Sequence, residues 1–124
     1  MITERYTVTF LGLTSKEHTA ESIGNIWAIS ADKIYEESSI YVAGDVYAGY
    51  PVRMEDREPD EDVVFIVIST RSPIYTADKV KYWEAYKQVI EEARFRLGNP
   101  CIAITSESVE FFYFRKVETE TEEQ

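Results

Sequence analysis

Six consecutive apolar residues, Val63-Val64-Phe65-Ile66-Val67-Ile68, constrain this chain more than any other segment. At the two-residue period of a strand they place apolar side chains on both faces, the pattern of a central strand covered from both sides. A helix needs ~20 apolar residues to cross a bilayer, so no membrane span is expected. The run has to be built into the middle of a sheet, and the neighbouring segments show how.

From Arg5 to Leu11, Tyr6, Val8 and Phe10 alternate with Arg5, Thr7 and Thr9, which predicts a strand with one buried face. Thr19 is placed to cap a helix running to about Glu36, with Ile23, Ile26, Trp27, Ile34 and Tyr35 at helical spacing. Gly24 inside it costs about 1 kcal/mol relative to alanine, a cost that close packing against a strand would explain. Ser39 to about Val52 is rich in Tyr and Val but interrupted by Gly44 and Gly49, which predicts a bent or bulged strand at an edge. A second helix is expected from near Thr76, with Asp78 in its first turn, and Gly98-Asn99-Pro100 supplies its stop. Cys101 to Thr105 alternates as a fourth strand. Val109 to Phe114 follows as a hairpin partner or as a continuation of that strand.

Strand, helix, strand, strand, helix, strand is the order of the ferredoxin-like βαββαβ arrangement, an α+β fold with an antiparallel sheet and two helices on one face. It puts the first and third strands at the centre, in agreement with the apolar run. The expected organisation is one domain over residues 1–117 and an acidic tail over 118–124. The first residues lack the basic and apolar stretches of a signal peptide, and Cys101 is the sole cysteine, so a reducing cytoplasm is expected, with no intramolecular disulfide and no multi-cysteine metal site. Nothing in the residues asks for a cofactor.

The formal charge of −10 is concentrated in two places. Glu55, Asp56, Glu58, Asp60, Glu61 and Asp62 surround the single base Arg57, and Glu118, Glu120, Glu122 and Glu123 end the chain without a base. The rest is nearly neutral. Direct binding to nucleic acid is disfavoured because no Lys/Arg cluster is present to displace phosphate counterions. The acidic segment lacks the alternating ligands and central glycine of a calcium loop, so no metal is expected and a solvated loop is the better reading.

Conventional catalytic arrangements are hard to assemble from these residues. His18, the only histidine, reads as a loop residue, since a base needs an orienting partner, and a single histidine excludes the two-histidine phosphoesterases for a monomer. Acylphosphatases share the fold but need an arginine in the first loop, where this chain has Lys16. Thr70, Arg71 and Ser72 lie between a strand and a helix, where hydroxyls, guanidinium and backbone N–H groups are suited to an anion, although turn formation and capping explain the same residues. Cys101 is expected to be a buried, inert thiol. The aromatics of Val109 to Phe114 on both faces imply core packing or a homodimer through that segment.

The opening Arg5-Tyr6-Thr7-Val8-Thr9-Phe10-Leu11-Gly12-Leu13, the Leu97-Gly98 helix stop and Ile102-Ala103-Ile104-Thr105 resemble a group of small uncharacterised bacterial and phage proteins with a ferredoxin-like pattern. The resemblance implies a fold and a mobile-element origin. The leading functional expectation is a non-catalytic regulatory protein whose acidic loop, with Tyr47 and Tyr50, contacts a basic protein surface, for instance as a phage inhibitor mimicking nucleic-acid charge in a defence complex. The alternative is a homo-oligomer that binds or sequesters a small anionic ligand or nucleotide with Thr70, Arg71, Ser72, Tyr75 and a neighbouring subunit's His18. An enzyme ranks last, because no nucleophile and base pair, metal cluster or phosphate loop is visible.

Overall fold

The computed structural model describes residues 1–52 and 63–118. The elements run β1 (Ile2–Phe10), α1 (Ala20–Ser38), β2 (Asp45–Gly49), β3 (Val64–Thr70), α2 (Lys79–Arg96) and β4 (Ile102–Glu110). The sheet is antiparallel throughout, in the order β2-β3-β1-β4, which is the expected ferredoxin-like arrangement.

Local chemistry sets the helix boundaries. Thr19 accepts a hydrogen bond from the Ser22 amide at 3.0 Å, and the Ser22 hydroxyl accepts one from the Thr19 amide at 2.9 Å, so two otherwise orphan donors are satisfied at the start of α1. Asp78 caps α2 by accepting from the amides of Val80 and Lys81 at 3.0 and 3.1 Å. At its far end Gly98 and Asn99 adopt left-handed backbone angles, φ 84° and 57°.

Both helices pack on one sheet face. There Tyr6, Val8 and Phe10 of β1 and Phe65 and Val67 of β3 meet Ile23, Trp27, Ala31 and Ile34 of α1 and Tyr82, Ala85, Tyr86 and Val89 of α2. Aromatic contacts dominate: the Tyr6 ring centroid lies 4.8 Å from Tyr86, 5.3 Å from Trp83 and 5.9 Å from Tyr82. Trp27 Nε1 donates to the Val42 carbonyl at 3.0 Å, which ties the segment before β2 to α1.

Three local expectations are corrected. The apolar run is not covered on both sides: Phe65 and Val67 are buried under the helices, whereas Val64, Ile66 and Ile68 are half-buried on the open face. Across the strands these sit beside Thr7, Thr9 and Tyr47, so neighbouring side chains give the partial cover that a second layer would otherwise supply. The second strand shrinks to Asp45–Gly49, although it does lie at an edge. Gly24 is not explained by tight packing, since a Cβ there would meet only Val46 Cγ2 at 3.8 Å. The close approach is at Gly44, where a Cβ would lie 2.5 Å from Val67 Cγ1 and 3.0 Å from Trp27 Nε1.

Val109 to Phe114 forms no hairpin. Val109 and Glu110 end β4, which pairs with β1 over its whole length, and Phe111 N donates to the Met1 carbonyl to carry the pairing one step further. Phe112, Tyr113 and Phe114 lie beyond it, exposed. Among the described residues no helix is long and apolar enough to cross a membrane. Residues 55–62 and 119–124, which carry nearly all of the localised acidity, lie outside the described residues.

Two predictions follow from the core. Gly44→Ala should destabilise the fold by about 2 kcal/mol through overpacking, while Gly24→Ala should stabilise it by about 0.5–1 kcal/mol through helix propensity; denaturant midpoints measure both. Burial pushes the phenols of Tyr82 and Tyr86 well above their ordinary range, and that of Tyr6 in the same direction. A folded-state value above the unfolded one stabilises the fold fully below pH ~10 and loses that contribution as the pH rises further. Stability should therefore fall steeply in alkali, with Tyr82 and Tyr86 among the nine tyrosines giving phenolate absorbance only as the chain unfolds.

Candidate functional site

The antiparallel order places the end of β1 beside the start of β4, and with it the loop into α1 beside the turn out of α2. Leu11 N donates to the Cys101 carbonyl at 2.9 Å, joining the two. Gly12, at φ 76°, turns the chain away from the sheet, and the Thr14 carbonyl accepts from the amides of Glu17 and His18 at 3.2 and 3.0 Å. On the other side Arg94 Nε donates to the Pro100 carbonyl at 2.8 Å.

Between these segments opens a cleft of about 740 Å³, lined by Leu11, Gly12, Leu13, Thr14, Glu17, His18, Leu97, Gly98, Pro100 and Cys101. Its volume falls within the range of small-molecule sites, roughly 300–1,000 Å³. The walls are mixed, with apolar side chains from Leu11, Leu13, Leu97 and Pro100 and polar groups at Thr14, Glu17, His18 and Cys101. His18 is half-buried, its ring edge-on to Phe65 with centroids 6.5 Å apart. Cys101 is exposed, which corrects the expectation of a buried thiol: it precedes β4, and β4 is an edge strand with most of its residues open to solvent.

Arg71 sits at the opposite end of β1. Its side chain is 6% exposed and bonds through Nε to Glu4 Oε1 at 2.8 Å and through Nη1 to the carbonyls of Thr76 and Ala77 at 2.9 and 3.2 Å. These bonds hold the connection into α2 against β1, and the Thr3 hydroxyl donates to the Arg71 carbonyl at 2.7 Å. Ser72 closes the same turn by accepting from Thr76 N at 2.9 Å through its carbonyl. Thr70 and Tyr75 are exposed. Within one chain His18 is therefore far from the Thr70–Tyr75 group. Tyr47 projects from the open sheet face opposite Ile66, and Tyr50 is exposed just beyond β2. Glu55, Asp56, Glu58, Asp60, Glu61 and Asp62 lie outside the described residues.

A second groove of about 490 Å³ runs between the helices, lined by Lys33, Glu37, Gln88, Glu91, Glu92, Arg94 and Phe95 among others. Two of its charged residues, Lys33 and Glu92, are paired with each other. Glu92 pairs with Lys33 at 2.6 Å and with Arg96 at 3.6 Å, and the Lys33 hydrogen bond holds its carboxyl below the usual range. The cleft beside β1 is the better candidate. Among the described residues no group of three or more His, Cys, Asp or Glu is arranged to hold a metal.

Residues 1–115 match the model of the SAM lyase family. The chain belongs to that family. Among solved structures, it is similar to a phage SAM lyase in complex with S-methyl-5'-thioadenosine, at 10% identity and TM-score 0.51, covering 91% of this chain and 93% of that one. The de novo designed protein Foldit4 is similar at 9% identity and TM-score 0.46, over 86% and 94% of the two chains. A dimeric protein of unknown function with a ferredoxin-like fold from Bacteroides fragilis is similar at 12% identity and TM-score 0.41, over 88% and 96%. None of the curated proteins matches. At these identities the structural likeness shows the fold alone.

Family membership overturns the expectation of a non-catalytic protein, since a lyase family is a family of enzymes, and the charge-mimicking inhibitor falls with it. Sequence reasoning missed the cleft because its two walls, residues 11–18 and 97–101, are distant in the chain. Gly12 and Gly98-Asn99-Pro100 were the available signal, once the strand order placed them side by side.

The buried and exposed ion pairs should differ sharply. Glu4→Ala strands the Arg71 guanidinium and should cost about 3 kcal/mol, whereas Glu107→Ala, which removes the exposed partner of Arg5, should cost less than about 1 kcal/mol. Urea unfolding of both variants tests the contrast.

Proposed function

We propose that this chain is a lyase that cleaves S-adenosylmethionine and that the cleft between the first loop and the start of β4 holds the substrate. The observation that carries the reading is the family match over residues 1–115. The phage lyase structure, which contains S-methyl-5'-thioadenosine, supports that thioether as the product and fits a phage or mobile-element origin.

The chemistry asks little of the protein. The substrate's sulfur is a sulfonium, so when the bond from sulfur to the γ-carbon of the amino-acid chain breaks, both electrons pass to sulfur. S-methyl-5'-thioadenosine leaves as a neutral molecule that needs no proton. The substrate's own carboxylate oxygen bonds to the γ-carbon as the sulfur departs, closing a five-membered lactone that keeps the ammonium. The sulfonium and carboxylate charges cancel as the thioether leaves and the ring closes, so the reactant's net positive charge ends on the lactone's ammonium, and atoms and electrons balance without water, a base or a metal.

Catalysis then consists of holding the amino-acid chain folded back on itself and keeping water from the carboxylate. Well-oriented intramolecular reactions reach effective molarities of roughly 10⁵–10⁸ M, so positioning is a sufficient source of rate. Leu11, Leu13, Leu97 and Pro100 supply an apolar wall for the nucleoside, and Thr14, His18 and Glu17 supply polar contacts. This assignment replaces a dedicated nucleophile and base with a shaped surface.

Incubated with S-adenosylmethionine and no methyl acceptor, the protein should release S-methyl-5'-thioadenosine, which chromatography detects. Its single cysteine lines the cleft, so a bulky maleimide on Cys101 should abolish turnover, while Cys101→Ser should stay active and resist the reagent. Turnover that survives complete modification would remove the substrate from this cleft.

A further inference from the structure

β4 is open on three sides. Seven of its nine residues are exposed and only Ile102 and Val109 are half-buried, so neither face of the strand is covered. Of its apolar residues, Ile102 alone packs against the core. Among the described residues no strand lies beyond it, so its outer edge is free as well.

The hydrogen bonds to β1 show which groups that edge presents. Phe111 N donates to the Met1 carbonyl at 2.6 Å, Met1 N to the Phe111 carbonyl at 3.3 Å, and Leu11 N to the Cys101 carbonyl at 2.9 Å. In an antiparallel pair, bonded and non-bonded positions alternate. With Phe111 and Cys101 bonded to β1, the odd-numbered residues between them point their N–H and C=O groups inward. Ile102, Ile104, Ser106, Ser108 and Glu110 therefore turn theirs outward. An edge of this kind is normally blunted by proline, lysine, a bulge or short length. β4 has no proline or lysine, and its pairing with β1 is unbroken over all nine residues.

The chain continues from this strand into an apolar patch. Phe112, Tyr113 and Phe114 are 71, 57 and 87% exposed. At 150–250 Å² for a whole aromatic side chain they offer roughly 400 Å², about half of the ~800 Å² that each side of a stable protein interface buries. The strand edge adjoins them and supplies the rest.

Charge decides the kind of partner. Residues 102–117 hold two acids, Glu107 and Glu110, and two bases, Arg115 and Lys116. Glu107 is bonded to Arg5 on the neighbouring strand, and Glu110 lies 3.9 Å from the Met1 ammonium. The surface has no net charge with which to select a basic or an acidic partner. It offers unpaired backbone groups and apolar area, and these are matched by a surface that offers the same. A second copy of this chain carries one.

We propose that the outer edge of β4 and the adjoining Phe112–Phe114 segment form a contact between copies of this chain, in which the partner pairs with the free backbone groups and covers the aromatics. The assignment stands apart from that of the cleft, because it uses only the strand edge and the residues that follow it.

Light scattering coupled to size exclusion, on the full chain over a concentration series, should give a mass of two or more chains. Ile104→Lys places a charge on the edge strand, and Ser106→Pro removes an outward amide that β1 does not use. Each should raise the concentration needed for assembly at least tenfold, with the circular dichroism of the folded chain retained. Gln88→Lys, which adds the same charge to the exposed side of α2, should leave assembly unchanged. Ile104→Lys keeps every bond to β1, so it decides the matter even where the proline variant fails to fold. A wild-type chain that stays monomeric throughout overturns the proposal, and so does an assembly that Ile104→Lys leaves intact.

Discussion

The pairing of β1 on both sides is the constraint on which the rest of the molecule depends. Its nine residues are matched to β4 over their full length and to β3 over six, so both ends of this strand fix what can stand beside them. At one end the buried pair of Arg71 and Glu4 fastens the entry into α2. At the other, the bond from Leu11 to Cys101 fastens the loop into α1 against the exit from α2. Packing and site are set by the same ladder: Tyr6, Val8 and Phe10 anchor the helices, and the chain leaving Phe10 forms the wall of the cleft.

The two ends of β1 illustrate how burial decides what a polar residue can do. Arg71 is the more conspicuous anion-binding candidate, yet its guanidinium is nearly enclosed and bonded to a carboxylate and two carbonyls. A charge held in this way is committed to the fold, because removing its partner would leave it unpaired in a poorly solvated place. Glu17 has the opposite surroundings. It is exposed, on the loop that lines the cleft.

Much of the architecture was legible because the signals are local. Helix caps at Thr19 and Asp78, the stop at Gly98-Asn99-Pro100 and the two-residue alternation of β1 all act within a few positions. What was not legible depended on distance. Glu4 and Arg71 are separated by 67 positions, and nothing in the sequence around Arg71 announces that its charge is already taken. The open face of β3 was misjudged for a related reason: Val64, Ile66 and Ile68 obtain their partial cover from threonines on β1 and Tyr47 on β2, and apolar residues on both faces of a strand do not reveal whether a second layer or only neighbouring side chains cover them. Cys101 was misjudged because its apolar sequence neighbours belong to an edge strand.

The enzymatic character was hidden by chemistry rather than by distance. A search for catalytic residues looks for a base, a nucleophile, a metal or a phosphate cradle, because most reactions must borrow one from the protein. A sulfonium substrate brings its own leaving group, and its carboxylate is a nucleophile attached by a short chain, so the reaction can borrow shape instead. On the proposed assignment of the cleft, that shape is distributed over Leu13, Leu97, Gly12 and Gly98, residue types that every small domain uses for packing and turns. A site made of such residues leaves no motif in the sequence; only the strand order, which brings the first loop beside the turn before β4, collects them into a surface that can hold a small molecule.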